Sequence, residues 1–389
     1  MRIAVVAPSH IPARRANTVQ VMKMSQAMAA LGHDVHVAAP EEEGKKAPPT
    51  WEALVEHYGL EYPFSFTWLP ARPRLRRYDY GYEALRWVRK IGAELLYTRL
   101  PQAAALASIT GIPTIFEVHD LPQGRMGPIA LKTFLRGSGA RRLVLITEAL
   151  AHDLIYHLKI HLAFPFSVIE PDGVDLGRYE QLPDPPSARI HLRASDRQGE
   201  MLGLKVQSFT AGYTGHLYPG RGSEMLLQLA GRLPEITFLV VGGEPEDVQR
   251  MQAAAQQQGL SNLILTGFVP NAALPLYQAA CDVLLMPYGK QVSASSGGDI
   301  ARYFSPMKLF EYLAAGRPIL CSDLPFLHEV LNAQNALLLP PGDTDAWASA
   351  LCRIKENPHD YQPMAEQARI DARQYSWEAR ARRILQGIS

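Results

Sequence analysis

A chain of 389 residues is longer than one typical hydrophobic core supports, so two domains are the natural expectation. Its composition, 47% hydrophobic and 20% charged, is that of a water-soluble globular chain and argues against a fibrous or disordered one. A formal net charge of +1 sets up no global field toward nucleic acid.

Cys281, Cys321 and Cys352 are odd in number, widely spaced and set among apolar neighbours. They suit buried thiols in a reducing compartment better than a disulfide framework or a zinc site. The chain opens directly on a strand-like run, Arg2-Ile3-Ala4-Val5-Val6-Ala7-Pro8, and no apolar run reaches the roughly 20 residues of a membrane span. A cytoplasmic protein is expected, with peripheral contact at the inner face of the membrane as its only membrane role.

In chain order, residues 3–8 read as a buried strand. A loop over 9–17 follows, then a helix over 18–31 with Val21, Met24, Met28 and Leu31 on one stripe, stopped by Gly32 before a strand at 35–39. Strand, helix, glycine stop and strand make one βαβ unit of a parallel sheet. Further strands are expected at 66–69, 95–98, 114–118, 143–146 and 167–169. The segment 181–199, rich in Pro, Ser, Arg and Asp, reads as a linker. A second alternating series then runs through 211–214, 237–241, 263–266, 283–287, 318–321 and 336–339, with helices at 223–232 and 246–258. Two doubly wound α/β domains are the implied architecture.

No Gly-x-Gly-x-x-Gly follows the first strand, which disfavours a dinucleotide-binding dehydrogenase. Gly242-Gly243 reads as a tight strand-to-helix turn. The segment Ser305-Pro306-Met307-Lys308-Leu309-Phe310-Glu311 is more telling. Ser305 is expected as the N-cap and Pro306 as the first helical residue, leaving the amides of Met307 and Lys308 toward an anion at the positive end of the helix dipole. Lys308 and Glu311 share a helix face, one suited to a phosphate and the other to hydroxyls. Tyr213-Thr214-Gly215-His216-Leu217-Tyr218-Pro219-Gly220-Arg221-Gly222 lies where a strand gives way to a helix, with His216 and Arg221 able to meet an anion there. An ordinary capped helix and a glycine-rich connector are the plain alternatives for the two segments.

Together these segments resemble the retaining glycosyltransferases of family 4, which have the GT-B fold: two Rossmann-like, doubly wound domains facing each other across a cleft. The resemblance extends over nearly the whole chain. It includes Asn17-Thr18-Val19-Gln20, Gly32-His33-Asp34-Val35, Tyr97-Thr98-Arg99, Glu117-Val118-His119-Asp120, Pro171-Asp172-Gly173-Val174-Asp175 and Asn335-Ala336-Leu337. It implies an N-terminal acceptor domain over residues 1–175, a nucleotide-sugar donor domain over 206–370, and a C-terminal helix over 371–389 that returns to the first domain, with Trp377, Arg380, Arg382 and Arg383 as its anchor.

The resemblance also implies site residues. Arg221 and His216 stand where the family grips the donor pyrophosphate, and the charge on His216 makes its share depend on pH. Glu311 matches the residue that accepts from ribose hydroxyls. Asn17, Gly215, Val269, Ser305, Met307, Lys308 and Leu309 complete the implied donor-binding set. His119 matches a cleft histidine near the transferred sugar, and with Arg221 and Lys308 forms the implied catalytic group. Arg99 and Glu117 fall on the acceptor side. Eight residues before Glu311, where the family often has another glutamate, this chain has Tyr303, and Asp299 is a substitute candidate for the sugar. No cofactor and no metal are expected, because Arg221, Lys308 and helix amides take the charge that an Asp-x-Asp metal motif carries in other transferases.

The partners implied are a UDP-sugar and a saccharide or lipid-linked acceptor. The strip from Arg72 to Lys90, with seven Arg or Lys residues and Tyr78, Tyr80, Tyr82 and Trp87 among them, suits an anionic membrane surface better than nucleic acid. Lys132, Arg136, Arg141 and Arg142 are expected to extend that patch. A sugar-nucleotide epimerase of the same fold and a donor-binding module without turnover are the rival readings.

Overall fold

The computed structural model describes residues 1–41, 44, 47–72, 75, 78–163, 166–195, 203–293 and 300–388. The chain forms two compact units, residues 1–172 with 377–389, and residues 173–376.

The first unit is built on seven strands: β1 (Arg2–Val6), β2 (Asp34–Pro40), β3 (Ser65–Leu69), β4 (Leu95–Thr98), β5 (Thr114–Val118), β6 (Ala140–Leu145) and β7 (Ser167–Ile169). They pair in parallel in the order β3-β2-β1-β4-β5-β6-β7. Helices between the strands cover both faces, which is why the central strands are apolar throughout rather than alternating. Ile3, Ala4, Val5 and Val6 are all completely buried. Strand β1 registers Ile3 against Val35 on one side and against Leu95 on the other. The chain therefore steps in opposite directions from β1, and the crevice beyond its carboxyl end is the topological switch point where such sheets bind ligands.

The second unit repeats the plan with β8 (Thr210–Thr214), β9 (Thr237–Val241), β10 (Leu263–Leu265), β11 (Val283–Met286), β12 (Ile319–Ser322) and β13 (Leu337–Leu339). The order is β10-β9-β8-β11-β12-β13, again parallel, with the switch point between β8 and β11. Both units are thus Rossmann-like, as the alternation of the sequence implies.

Two local expectations are corrected. The stretch expected to be a linker contains a helix, Pro185–Ser195. Prolines are tolerated in its first turn, Asp184 accepts the amide of Ser187 at 2.8 Å, and Arg189 is buried with its guanidinium on Asp282 and on the carbonyls of Ala280 and Val206. The helix Met307–Ala315 begins one residue later than expected: Pro306 is its N-cap, and no side chain caps it. The one Asp-x-Asp spacing in the sequence, Asp343-Thr344-Asp345, belongs to a helix start. Asp343 caps the helix Thr344–Glu356 through the amide of Ala346, and Asp345 pairs with Arg232 at 2.7 Å on the surface.

At the C-terminus the helix Trp377–Leu385 packs within the first unit. Trp377 is buried, Arg382 is exposed, and Arg383 forks onto the carboxylate of Glu170 at 2.8 and 3.0 Å. Arg142 is buried and is therefore no part of a surface patch. Its guanidinium donates to the carbonyls of Arg383, Ile384 and Gln386, satisfying the open end of this helix and meeting the negative end of its dipole.

Candidate active site

In the second unit the loop after β8 carries Gly215, His216, Gly220 and Arg221, and it is laced to the loop after β11. Gly289 donates its amide to the carbonyl of Gly220 at 2.9 Å, and Ser293 to that of Pro219 at 3.2 Å. A Cβ on Gly220 would stand 1.9 Å from the carbonyl oxygen of Gln291, so the lacing requires glycine there. Gly215 adopts φ +131°, and a Cβ on it would stand 2.8 Å from Lys308 Nζ. Arg221 donates to the carbonyl of Ser293 at 3.1 Å, and its guanidinium lies 4.4 Å from the centre of the Phe304 ring.

Lys308 is the unusual group. Its side chain is buried and its Nζ has no hydrogen-bond partner among the described residues. The Tyr213 ring holds it at 3.6 Å and the Tyr288 ring at 5.6 Å. Burial, then the nearby Arg221, push its pKa well below the usual lysine value. An ammonium placed this way is costly until an anion joins it. Glu311 lies on the same helix, half-buried, and accepts from Gln278 Nε2 at 3.1 Å. The Gln278 amide is fixed in turn by the Tyr179 hydroxyl, which donates to its Oε1 at 2.9 Å. One helix therefore carries an amine lacking an acceptor and, one turn on, a carboxylate held in a set orientation.

His216 differs from its expected role. Burial holds its pKa down to about 4, with Arg221 and Lys308 pushing the same way. The ring stacks on Tyr218 with centroids 4.7 Å apart, and Glu244 lies 3.8 Å from Nδ1, beyond hydrogen-bond range. Near neutral pH its imidazole is therefore neutral. Leu309 is also reassigned: its side chain is in the core, and its amide is taken by the carbonyl of Pro306 at 2.9 Å. The earlier amides of the turn, those of Met307 and Lys308, precede the first intrahelical bond. Ser305 is buried, and Val269 packs against the core beneath the site. Tyr303 is buried, and Asp299 lies outside the described residues.

In the first unit, the ends of β4 and β5 bring together a second polar group. Glu117 is completely enclosed. It accepts from both Nη atoms of Arg380 at 3.1 and 3.0 Å, from Gln20 Nε2 at 2.7 Å, from the Tyr97 hydroxyl, and from His119 Nε2. Burial pushes its pKa up and Arg380 pulls it down. A carboxylate ringed by that many donors is an ionised acceptor. His119 therefore carries its proton on Nε2, and burial together with Arg99 and Arg380 holds its pKa well below 6.5. Arg99 reaches Gln20 Oε1 at 3.0 Å, while burial lowers its pKa to about 10. Asp172, also buried, is pushed upward. Asn17 donates to Ser9 Oγ at 2.9 Å on the loop after β1. Glu117, His119 and Asp172 present ligand-type atoms within 4.8 Å of one another. Arg380 already occupies both oxygens of Glu117, so the donor set suits a guanidinium rather than a metal ion. Glu117, expected on the acceptor side, is spent on this network and offers no surface.

The second unit matches the model of Glycosyl transferases group 1 over residues 208–357. The first matches that of Glycosyltransferase Family 4 over residues 18–178, and the two together span about four fifths of the chain. The chain belongs to glycosyltransferase family 4. A relative within the family, D-inositol 3-phosphate glycosyltransferase of Corynebacterium urealyticum, is 28% identical over 207 residues. Those residues are 50% of this chain and 46% of the relative, so the match spans about half of that protein's length. Phosphatidyl-myo-inositol mannosyltransferase of Mycolicibacterium smegmatis is 23% identical over 394 residues, covering 99% of this chain and 92% of the relative. Among solved structures, Anabaena HepE in complex with UDP-glucose superimposes with a TM-score of 0.73 at 17% identity, covering 99% of this chain and 98% of that one. That likeness shows the GT-B fold.

Sequence reading of this family 4 chain missed Gln278 and Tyr179, which hold Glu311. It placed Gln20 and Tyr97 in motifs and Arg380 at the C-terminal anchor, but not the part all three play in holding Glu117. Each stands apart in sequence from the residue it serves. Arg380 had a signal, a basic residue beside Trp377, but its ion pair spans 263 positions of sequence.

Proposed function

We propose that the chain transfers a hexosyl group from UDP-glucose or a related UDP-hexose to a saccharide or lipid-linked saccharide acceptor. The reaction retains anomeric configuration, needs no metal ion, and serves cell-envelope polysaccharide or glycolipid synthesis. The observation that carries this reading is the buried Lys308 ammonium without an acceptor, beside Arg221 and one turn from Glu311. Two cations suit a pyrophosphate and an oriented carboxylate suits a ribose diol. The same fold holds UDP-glucose in the Anabaena protein, which supports the choice of donor.

In this reading Arg221, Lys308 and the amides of Met307 and Lys308 stabilise the UDP that departs. The bond from the sugar C1 to the β-phosphate oxygen breaks, and a bond from C1 to the acceptor oxygen forms on the same face. The acceptor proton passes to the departing phosphate oxygen, so no protein base is needed. His119, neutral and with its Nε2–H given to Glu117, is assigned to positioning the sugar rather than to removing a proton.

Incubation with UDP-glucose and cell-envelope glycolipid, with UDP release measured, tests the reading. UDP should appear only with acceptor, and at an undiminished rate in EDTA. Epimer formation without acceptor would replace transfer by the rival enzyme reading, and donor binding with no product would leave a binding module. A rate lost on chelation and restored by Mg²⁺ or Mn²⁺ would remove metal independence.

Peripheral membrane contact belongs to the same proposal. Among the described residues no helix is long and apolar enough to cross a membrane. The helix Tyr78–Lys90 does expose Tyr78, Tyr82, Arg86, Arg89 and Lys90, a wet aromatic and basic face. Arg74, Arg76 and Arg77 of the expected strip lie outside the described residues. Lys132, Arg136 and Arg141 are exposed. Co-sedimentation with vesicles rich in anionic lipid, falling as salt rises, is the expected result. Equal binding to neutral vesicles would rule out the electrostatic contact.

A further inference from the structure

The C-terminal helix contributes more than packing to the first unit. Arg380 is completely buried and places both Nη atoms on the Glu117 carboxylate, while its Nε donates to the carbonyl of Pro171 at 2.6 Å. A second bond from Nη2 reaches the carbonyl of Glu170 at 3.0 Å. The guanidinium is thus fixed by four acceptor atoms, and it fixes in turn the carboxylate that His119 meets. Glu117 spends its remaining lone pairs on Gln20, Tyr97 and the His119 ring. The alignment of that ring depends on where the arginine holds the carboxylate.

We propose that Arg380 is a positioning residue for His119: acting through Glu117, it fixes the acceptor that holds the imidazole Nε2–H and so sets the tautomer and the aim of the ring. The inference rests on the reading that His119 meets the transferred sugar. The charged groups facing the imidazole are Glu117 from its own strand, Arg99 from the end of β4, Asp172 from the segment after β7, and Arg380 from the C-terminal helix. Tyr97 and Gln20 face it only across Glu117. Two cations and two carboxyl groups therefore surround a neutral ring. Burial is the main reason the ring is neutral, and Arg380 is the chief group that holds the buried Glu117 ionised; removing it favours a protonated Glu117, whose O–H donates to an unprotonated Nε2.

The test uses the full chain labelled with ¹⁵N-histidine, the His119 signals being assigned by their loss in His119→Gln. In the wild type His119 should stay in the neutral Nε2–H form across the neutral pH range. In Arg380→Met the Nε2–H form should be lost and the ring should pass toward the Nδ1–H tautomer. For UDP-glucose turnover, kcat should fall by about ten-fold or more with KM for the donor changed less than about two-fold. Arg380→Lys should restore part of both signatures. Retention of the wild-type tautomer in a folded Arg380→Met would overturn the inference.

Glu117→Gln supplies a second route where Arg380→Met does not fold. The amide oxygen is then claimed by Arg380 and Tyr97, so the amide NH₂ turns to His119 and needs an unprotonated Nε2. The tautomer should switch to Nδ1–H. An unchanged Nε2–H signal would show that the network does not govern the ring. These signals report on the network even if UDP-glucose is not the donor, so failure here and failure of the functional reading are told apart.

Discussion

Glu311→Ala is expected to weaken UDP binding by about 1.5–3 kcal/mol, the range for a hydrogen bond that involves a charged group. This corresponds to a loss of roughly ten- to more than a hundred-fold in affinity. The size follows from pre-organisation. Gln278, itself held by Tyr179 and bonded to Thr214 Oγ1 at 3.3 Å, already fixes the carboxylate, so little rotamer entropy remains to be lost on binding. Arg221→Ala should weaken UDP by a comparable amount, because the guanidinium is stacked on Phe304 and aimed before any ligand arrives. The two changes lie on different elements of the second unit, and a double variant would show how far their contributions couple. Titration calorimetry with UDP reads both. Unchanged affinity in both single variants would place the donor site elsewhere.

Deleting residues 377–389 is expected to unfold the first unit, and Trp377→Ala alone to cost about 3–5 kcal/mol. The deletion removes a buried tryptophan and also strips Arg380 from a carboxylate with no exposed surface. A buried ion pair broken from one side costs about 3–5 kcal/mol because the remaining charge is left uncompensated. Arg142, which ends on the carbonyls of that helix, loses its acceptors in the same step. Set against a total stability of about 5–15 kcal/mol, these losses together are comparable with the whole of what a domain keeps in reserve. Urea unfolding followed by far-UV circular dichroism measures the effect. A truncated chain with an unchanged midpoint would show that the helix is not integral to the first unit.

Much of the architecture was legible from local pattern. Apolar runs such as Ile3-Ala4-Val5-Val6 and Thr237–Val241 can only be strands covered on both faces, so a parallel sheet with flanking helices follows from them. Gly242 and Gly243 turn the chain with φ of +110° and +92°, as a tight turn from strand to helix demands. Lys308 and Glu311 were placed on one helix by a spacing of three alone. The misreadings arose where local signals compete. A stretch rich in Pro and Ser reads as a linker, although Pro185 and Pro186 sit in a first turn, where proline costs little.

Periodicity is written into neighbouring residues, so the sequence by itself determined the alternation of strands and helices, the two-domain plan and the stations of Arg221, Lys308 and Glu311. Which distant side chains meet is set by sheet order and by the return of the C-terminal helix, and only the tertiary structure decided that. It enclosed Lys308 between two tyrosine rings, lowered the pKa of His216, turned Glu117 from a surface residue into a buried counter-ion, and brought Arg380 to it across 263 positions of chain. Burial and charge pairing depend on the whole packed environment of a group, and no short stretch of sequence carries that information.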